Sequence, residues 1–155
     1  MDKVLVSTKP QYSKLILDGI KTAEIRKNFP KSKLPFKSFI YCTLPEPKQP
    51  RLMKSESGLF FEEPGLTDGL VCNGQVIGKF IVKDVLEFAS ADDVPEDVLK
   101  ASCLTREEIR EYADGSRVFA WIIRAAFPFP KPVPITNFGM NRPPQSWRYL
   151  KGAKG

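Results

Sequence analysis

The chain has 155 residues, with 24 Lys and Arg, 18 Asp and Glu, three Cys and no His. One domain accounts for this length, and a domain of that size buries about 68–70% of its unfolded surface without staples. The missing histidines exclude Ser-His-Asp and Cys-His nucleophile systems and His-ligated zinc, which leaves Lys, Glu, Asp, Tyr or Cys for any acid–base role.

The predicted elements start with Val4-Leu5-Val6, a short apolar run read as a strand. Met1-Asp2-Lys3-Val4 forms no secretory h-region, and no apolar run approaches the ~20 residues of a membrane span, so a cytoplasmic protein without a membrane partner is expected. Ser7-Thr8-Lys9-Pro10 opens a helix, with proline at the first helical position, where its missing N–H costs nothing. Tyr12, Leu15 and Ile16 share one face of that helix, and Gly19 closes it. A second strand follows at 22–26, with Ala23 and Ile25 on one face and Thr22, Glu24 and Arg26 on the other. The segment 39–43 reads as a third strand.

Residues 44–68 are rich in Pro, Gly, Ser and charge without a period, and read as a surface loop or insertion. Asn73-Gly74, between Leu70-Val71-Cys72 and Gln75-Val76-Ile77, signals a hairpin whose second arm runs toward Phe88. Asp92 and Asp93 before Pro95 suit a helix start. Thr105 to Glu108 fits a capping box, with Leu104 and Ile109 as a hydrophobic staple, and that helix ends near Asp114-Gly115. Residues 118–127 read as a central buried strand. Pro128, Pro130, Pro132 and Pro134 then mark an edge or an extended arm. A frayed basic tail, 151–155, closes the chain. Cys42, Cys72 and Cys103 are odd in number and lack a C-x-x-C pair, so they read as small buried hydrophobes. Short strands, few helices and no βαβα repeat argue for an α+β fold with a strongly curved sheet or barrel.

Charge is segregated. Residues 1–54 hold 12 Lys and Arg against 4 Asp and Glu, 55–115 hold 5 against 14, and 116–155 hold 7 against none. If the two ends meet in space, one face is strongly positive and attracts polyanions such as nucleic acid. The alternative is a solvated surface that keeps the protein soluble.

Gly19-Ile20-Lys21-Thr22-Ala23-Glu24-Ile25-Arg26 is the informative constellation. A cation, a hydroxyl, a carboxylate and a guanidinium converge beside a helix terminus, a set able to grip a phosphate or a base edge. The plainer alternative is a strand face that meets water. No phosphate-binding glycine loop or metal-ligand cluster is present, and no cofactor is implied.

Gly19-x-Lys21-x-x-Glu24-x-Arg26 resembles the G-x-K-x-x-E-x-R signature of the ASCH (activating signal cointegrator homology) domain family. Val6 to Pro10, Cys103-Leu104-Thr105, Ala120-Trp121 and Arg142 to Trp147 resemble further segments of phage- and Firmicute-type ASCH proteins. The resemblance implies one PUA-like domain over residues 1–150, a small β-barrel with a few peripheral helices. It also implies a cleft that binds RNA or a nucleotide, lined by Lys21, Thr22, Glu24 and Arg26. Ser7 and Lys9 would form the rim, and Arg142 and Trp147 would close the cleft from the C-terminal arm. Tyr41 or Trp121 would offer a base-stacking platform, although Trp121 on an apolar strand reads first as core; for Trp147, packing as a core lid and stacking on a ligand weigh equally. Some relatives are amidohydrolases of N4-acylated cytidine, and ribonuclease activity occurs in the family. In that variant Lys21 and Glu24 would be the catalytic residues, acting without metal. The amidohydrolases carry Thr where this chain has Glu24, and Lys100 falls where their distal Glu would be sought. A regulatory role through the Pro-rich arm is the third class. Nothing in the sequence specifies an oligomer, so a monomer is the default expectation.

Overall fold

The computed structural model describes residues 1–150; the predicted basic tail lies outside the described residues. Nine strands and three α-helices are present among them. The first strand, β1 (Lys3–Thr8), is wholly apolar at Val4, Leu5 and Val6 and sits inside the sheet. The α1 helix (Pro10–Leu17) follows with Pro10 at its start, as predicted. Gly19, at φ +79°, takes the left-handed conformation that lets the chain leave α1 and turn back, a conformation costly for a residue with a Cβ.

The strands β2 (Ala23–Arg26), β3 (Phe36–Cys42), β7 (Val76–Phe88), β8 (Val118–Val133) and β9 (Trp147–Tyr149) join β1 in a six-stranded sheet of order β2-β8-β7-β3-β1-β9. Among the described residues only β1 and β3 pair in parallel, and the crossover between them carries α1 and β2. Register shifts along β7, against both β3 and β8, bend the sheet into a half-barrel. β8 lies between β2 and β7 only over its first half, which pairs with β2 at Phe119–Ile122. Its proline-rich second half pairs with β7 alone, so the prolines fall on an edge as expected.

Two expectations about the strands are corrected. Residues 44–68 are not an irregular loop: β4 (Leu52–Ser55) and β5 (Gly58–Phe61) form a hairpin, and β6 (Leu70–Val71) adds a third strand to it. The period was masked because only Leu52 and Met53 are buried, while the hairpin is secured outside by a two-pronged Arg51–Glu62 pair at 2.6 and 2.9 Å. The Asn73-Gly74 turn exists, but its arms do not pair. β6 joins β4, while β7 joins β3 and β8. Asn73 is buried instead, accepting from the Leu52 N–H at 2.8 Å and donating to the Thr43 carbonyl at 3.0 Å, which ties the small sheet to the large one.

Inside the half-barrel, Val4, Val6, Ile16, Phe36, Phe80 and Trp121 form the main core. A second core packs α2 (Glu96–Ser102) and α3 (Arg106–Ala113) on β2 and β8 through Ala23, Ile25, Val98, Ile109 and Ala120. The predicted capping box is present: the Glu108 N–H donates to the Thr105 hydroxyl, and the Thr105 N–H donates to the Glu108 carboxylate. Gly78 lets α1 lie on β7, because a Cβ there would stand 2.7 Å from a Leu17 methyl and 2.8 Å from the Phe127 carbonyl. Cys42 and Cys72 are buried as predicted and burial pushes both thiols up to about 12. Cys103 is not: it is half-exposed, in the left-handed position that ends α2. No helix among the described residues is long and apolar enough to cross a membrane.

Candidate functional site

The motif residues meet where the end of α1, the strand β2 and the helix α3 converge. β2 sends Ala23 and Ile25 into the second core. Its other face carries Glu24 and Arg26, and that face is largely withdrawn from water: Glu24 is 5% exposed and Arg26 is partly buried. Lys21, in the turn before β2, is 1% exposed. Its ammonium donates to the Ser102 carbonyl at the end of α2, lies 3.6 Å from Glu24 Oε1 and sits 5.0 Å from the centre of the Tyr12 ring. The other carboxylate oxygen of Glu24 accepts from Arg26 Nη2 at 3.0 Å. Arg26 also donates to the Ser7 carbonyl at 2.9 Å and to the Ser146 hydroxyl at 3.2 Å.

A cation, an anion and a second cation thus stand in one buried row. Burial, the largest influence, pulls the Lys21 amine below the ordinary lysine range; Glu24 opposes this and Arg26 adds slightly to it. The row borders a cavity of about 470 Å³. Lys9, Tyr12 and Ser7 line one side of it, and Leu104, Glu108, Glu111 and Tyr112 line the α3 side. Burial raises the Tyr12 hydroxyl pKa, with Glu108 and then Glu24 adding to the effect, and burial likewise raises that of Tyr112. A second cavity of about 580 Å³ shares Ser7 and Lys9 with the first and opens toward the β4–β5 sheet, where Gln49 and Phe61 line it.

Of the residues singled out in the sequence, Ser7, Lys9, Lys21, Glu24 and Arg26 border the motif cavity. Four do not. Thr22 is exposed and acts through its backbone, donating to Ala101 and accepting from Ile123, because the strand alternation that aims Glu24 inward begins one residue later. Tyr41 is buried in a third apolar cluster with Leu5 and Val76. Arg142 is exposed and lines neither cavity. Trp147 is a lid on the main core: its ring stands edge-on to Trp121 at 6.3 Å, and its indole N–H donates to the Asn28 side chain at 2.7 Å. Trp121 itself is fully buried.

The C-terminal arm still reaches the site, through residues that sequence reasoning missed. Ser7 donates to the Pro144 carbonyl at 2.6 Å, the Ser7 N–H donates to the Ser146 carbonyl at 2.9 Å, and Gln145 lines the second cavity. Tyr12 was legible only as helix core, and Glu108, Glu111 and Tyr112 lay in the acidic segment read as helix starts. The two basic segments do meet among the described residues, with β9 alongside β1. α3 nevertheless adds carboxylates to the same cavity, so the site is mixed in charge rather than uniformly positive.

No family model and no curated protein matches the sequence. Solved structures do. An ASCH protein from Zymomonas mobilis superposes with a TM-score of 0.70 at 20% identity, covering 97% of this chain and 89% of its own. A tyrosine-to-phenylalanine variant of that protein gives 0.70 at 19% identity, covering 98% of this chain and 92% of its own. The curled sheet, its peripheral helices and this near-complete superposition establish that the chain has the ASCH fold, the PUA-like α+β architecture that the motif led us to expect.

Proposed function

We propose that the chain binds RNA or a free nucleotide, holding one nucleotide unit in the cavity beside β2. The buried Lys21–Glu24–Arg26 row carries this reading. Holding ions out of water costs several kcal/mol per ion unless each is paired, and a row of this kind beside a cavity marks a recognition site more than a stabilising device. The cavity volume falls in the range of about 300–1,000 Å³ usual for ligand sites. The two tyrosines offer flat faces, Arg26 offers a planar fork for acceptors, and Glu108 and Glu111 offer acceptors for amine donors on a base. Titrating an octaribonucleotide at low salt tests the reading. Measurable affinity that weakens with salt and falls at least tenfold in Arg26→Gln supports it; no binding at low salt defeats it.

One observation favours a hydrolytic reading of the same site: a buried lysine with a lowered pKa stands beside a carboxylate. Acting on an N4-acylated cytidine, Lys21 or Glu24 would take a proton from water as it adds to the acyl carbon. The nucleoside amine would leave carrying that proton. Incubation with N4-acetylcytidine tests this, and acetate release no greater than that of folded Lys21→Met contradicts it. Ribonuclease chemistry by the same pair is read by cleavage of a labelled oligomer.

A further inference from the structure

The two cavities meet at one place, the passage from β1 into α1. Ser7 and Lys9 border both, Thr8 borders the motif cavity, and Gln11 borders the other. Two features there suit an oxyanion. The Lys9 ammonium is exposed and has no side-chain partner among the described residues. The α1 helix starts at Pro10, so the Gln11 N–H stands in its first turn, where no carbonyl within the helix reaches it. Besides Glu24, which Lys21 and Arg26 neutralise, the carboxylates that line the cavities are Glu108 and Glu111 in one and Glu46 in the other, and none is shared between them. They disfavour an anion inside either cavity and favour it at the junction.

We propose that the two cavities hold two consecutive units of a single strand, with the phosphate that links them over the start of α1. The inference rests on the nucleotide reading above and narrows the ligand to a dinucleotide step. The second unit lies against the small sheet, where Phe61 supplies an aromatic surface and Gln11, Gln49 and Gln145 supply amides for base edges.

Calorimetric titration with nucleoside 3′-monophosphates and with the dinucleoside monophosphates ApA, CpC, GpG and UpU tests this. At least one dinucleotide should bind ten times more tightly than its mononucleotide. That ratio should fall to near one in Lys9→Gln, in Gln49→Trp, which fills the second cavity, and for a dinucleoside with a neutral methylphosphonate link. A ratio near one in the wild type, or one that none of these changes moves, overturns the two-unit inference and leaves the single-unit reading standing. Absence of binding by every probe overturns the single-unit reading as well.

Discussion

Glu24 holds the site together electrically, because it is the carboxylate between Lys21 at 3.6 Å and Arg26 at 3.0 Å. Glu24→Gln leaves two cations in a largely dry region without their counter-charge, and unfolding in urea should show a loss of about 3 kcal/mol. The same change pulls the Lys21 amine lower still, since Glu24 is the strongest influence holding it up. Lys21 also gives a pH prediction. Its folded-state pKa lies below the unfolded 10.5, so between the two the unfolded chain binds more protons. The contribution of Lys21 to stability is therefore least favourable at neutral pH and rises as pH climbs through that window. The unfolding free energy of wild type minus that of Lys21→Met should increase with pH across it; a flat or falling difference contradicts the burial account. These residues were legible because one turn and one strand hold them all. Ser146 lies 120 positions from Arg26, and no periodicity within one sequence joins the two.

At the scale of elements, two close fits decide how the parts dock. Gly78 has ordinary backbone dihedrals; what it supplies is room. In Gly78→Ala the added methyl meets the backbone carbonyl of Phe127, which cannot move aside cheaply, and urea unfolding should show a loss of about 1–3 kcal/mol from overpacking. Asn73→Ala removes the acceptor of the Leu52 N–H and the donor to Thr43. A loss of about 1–3 kcal/mol is expected, with hydrogen exchange speeding first at Leu52 and its neighbours in the small sheet. That sheet is also the clearest failure of sequence reading. Its strands are four, four and two residues long and mostly half-exposed, so neither alternation nor a long apolar run announced them. The Asn73-Gly74 signal implies local pairing, whereas tertiary contacts send its two arms to different sheets. Where local chemistry acts alone, as in the Thr105–Glu108 capping box and the Gly19 turn, sequence and structure agree.

For the whole molecule, the arithmetic of charge takes on a geometry. The basic ends meet as β1 and β9, and the acidic middle returns as α3 to line the motif cavity with Glu108 and Glu111. On the proposed reading, such a site selects its ligand rather than attracting any polyanion. Few phosphates should be contacted, so the logarithm of affinity should fall with the logarithm of salt by only about 0.7 per phosphate engaged, a total near one for a dinucleotide. A slope of four or more would mean binding by the general basic surface instead. The most direct test of the central claim, that a nucleotide unit sits in the cavity beside β2, is an NMR titration of the labelled protein with a short oligoribonucleotide. The account predicts saturable shifts concentrated at Lys9, Tyr12, Lys21, Glu24, Arg26 and Tyr112. Shifts that spare these residues and gather on another surface, or none at all at low salt, would contradict it.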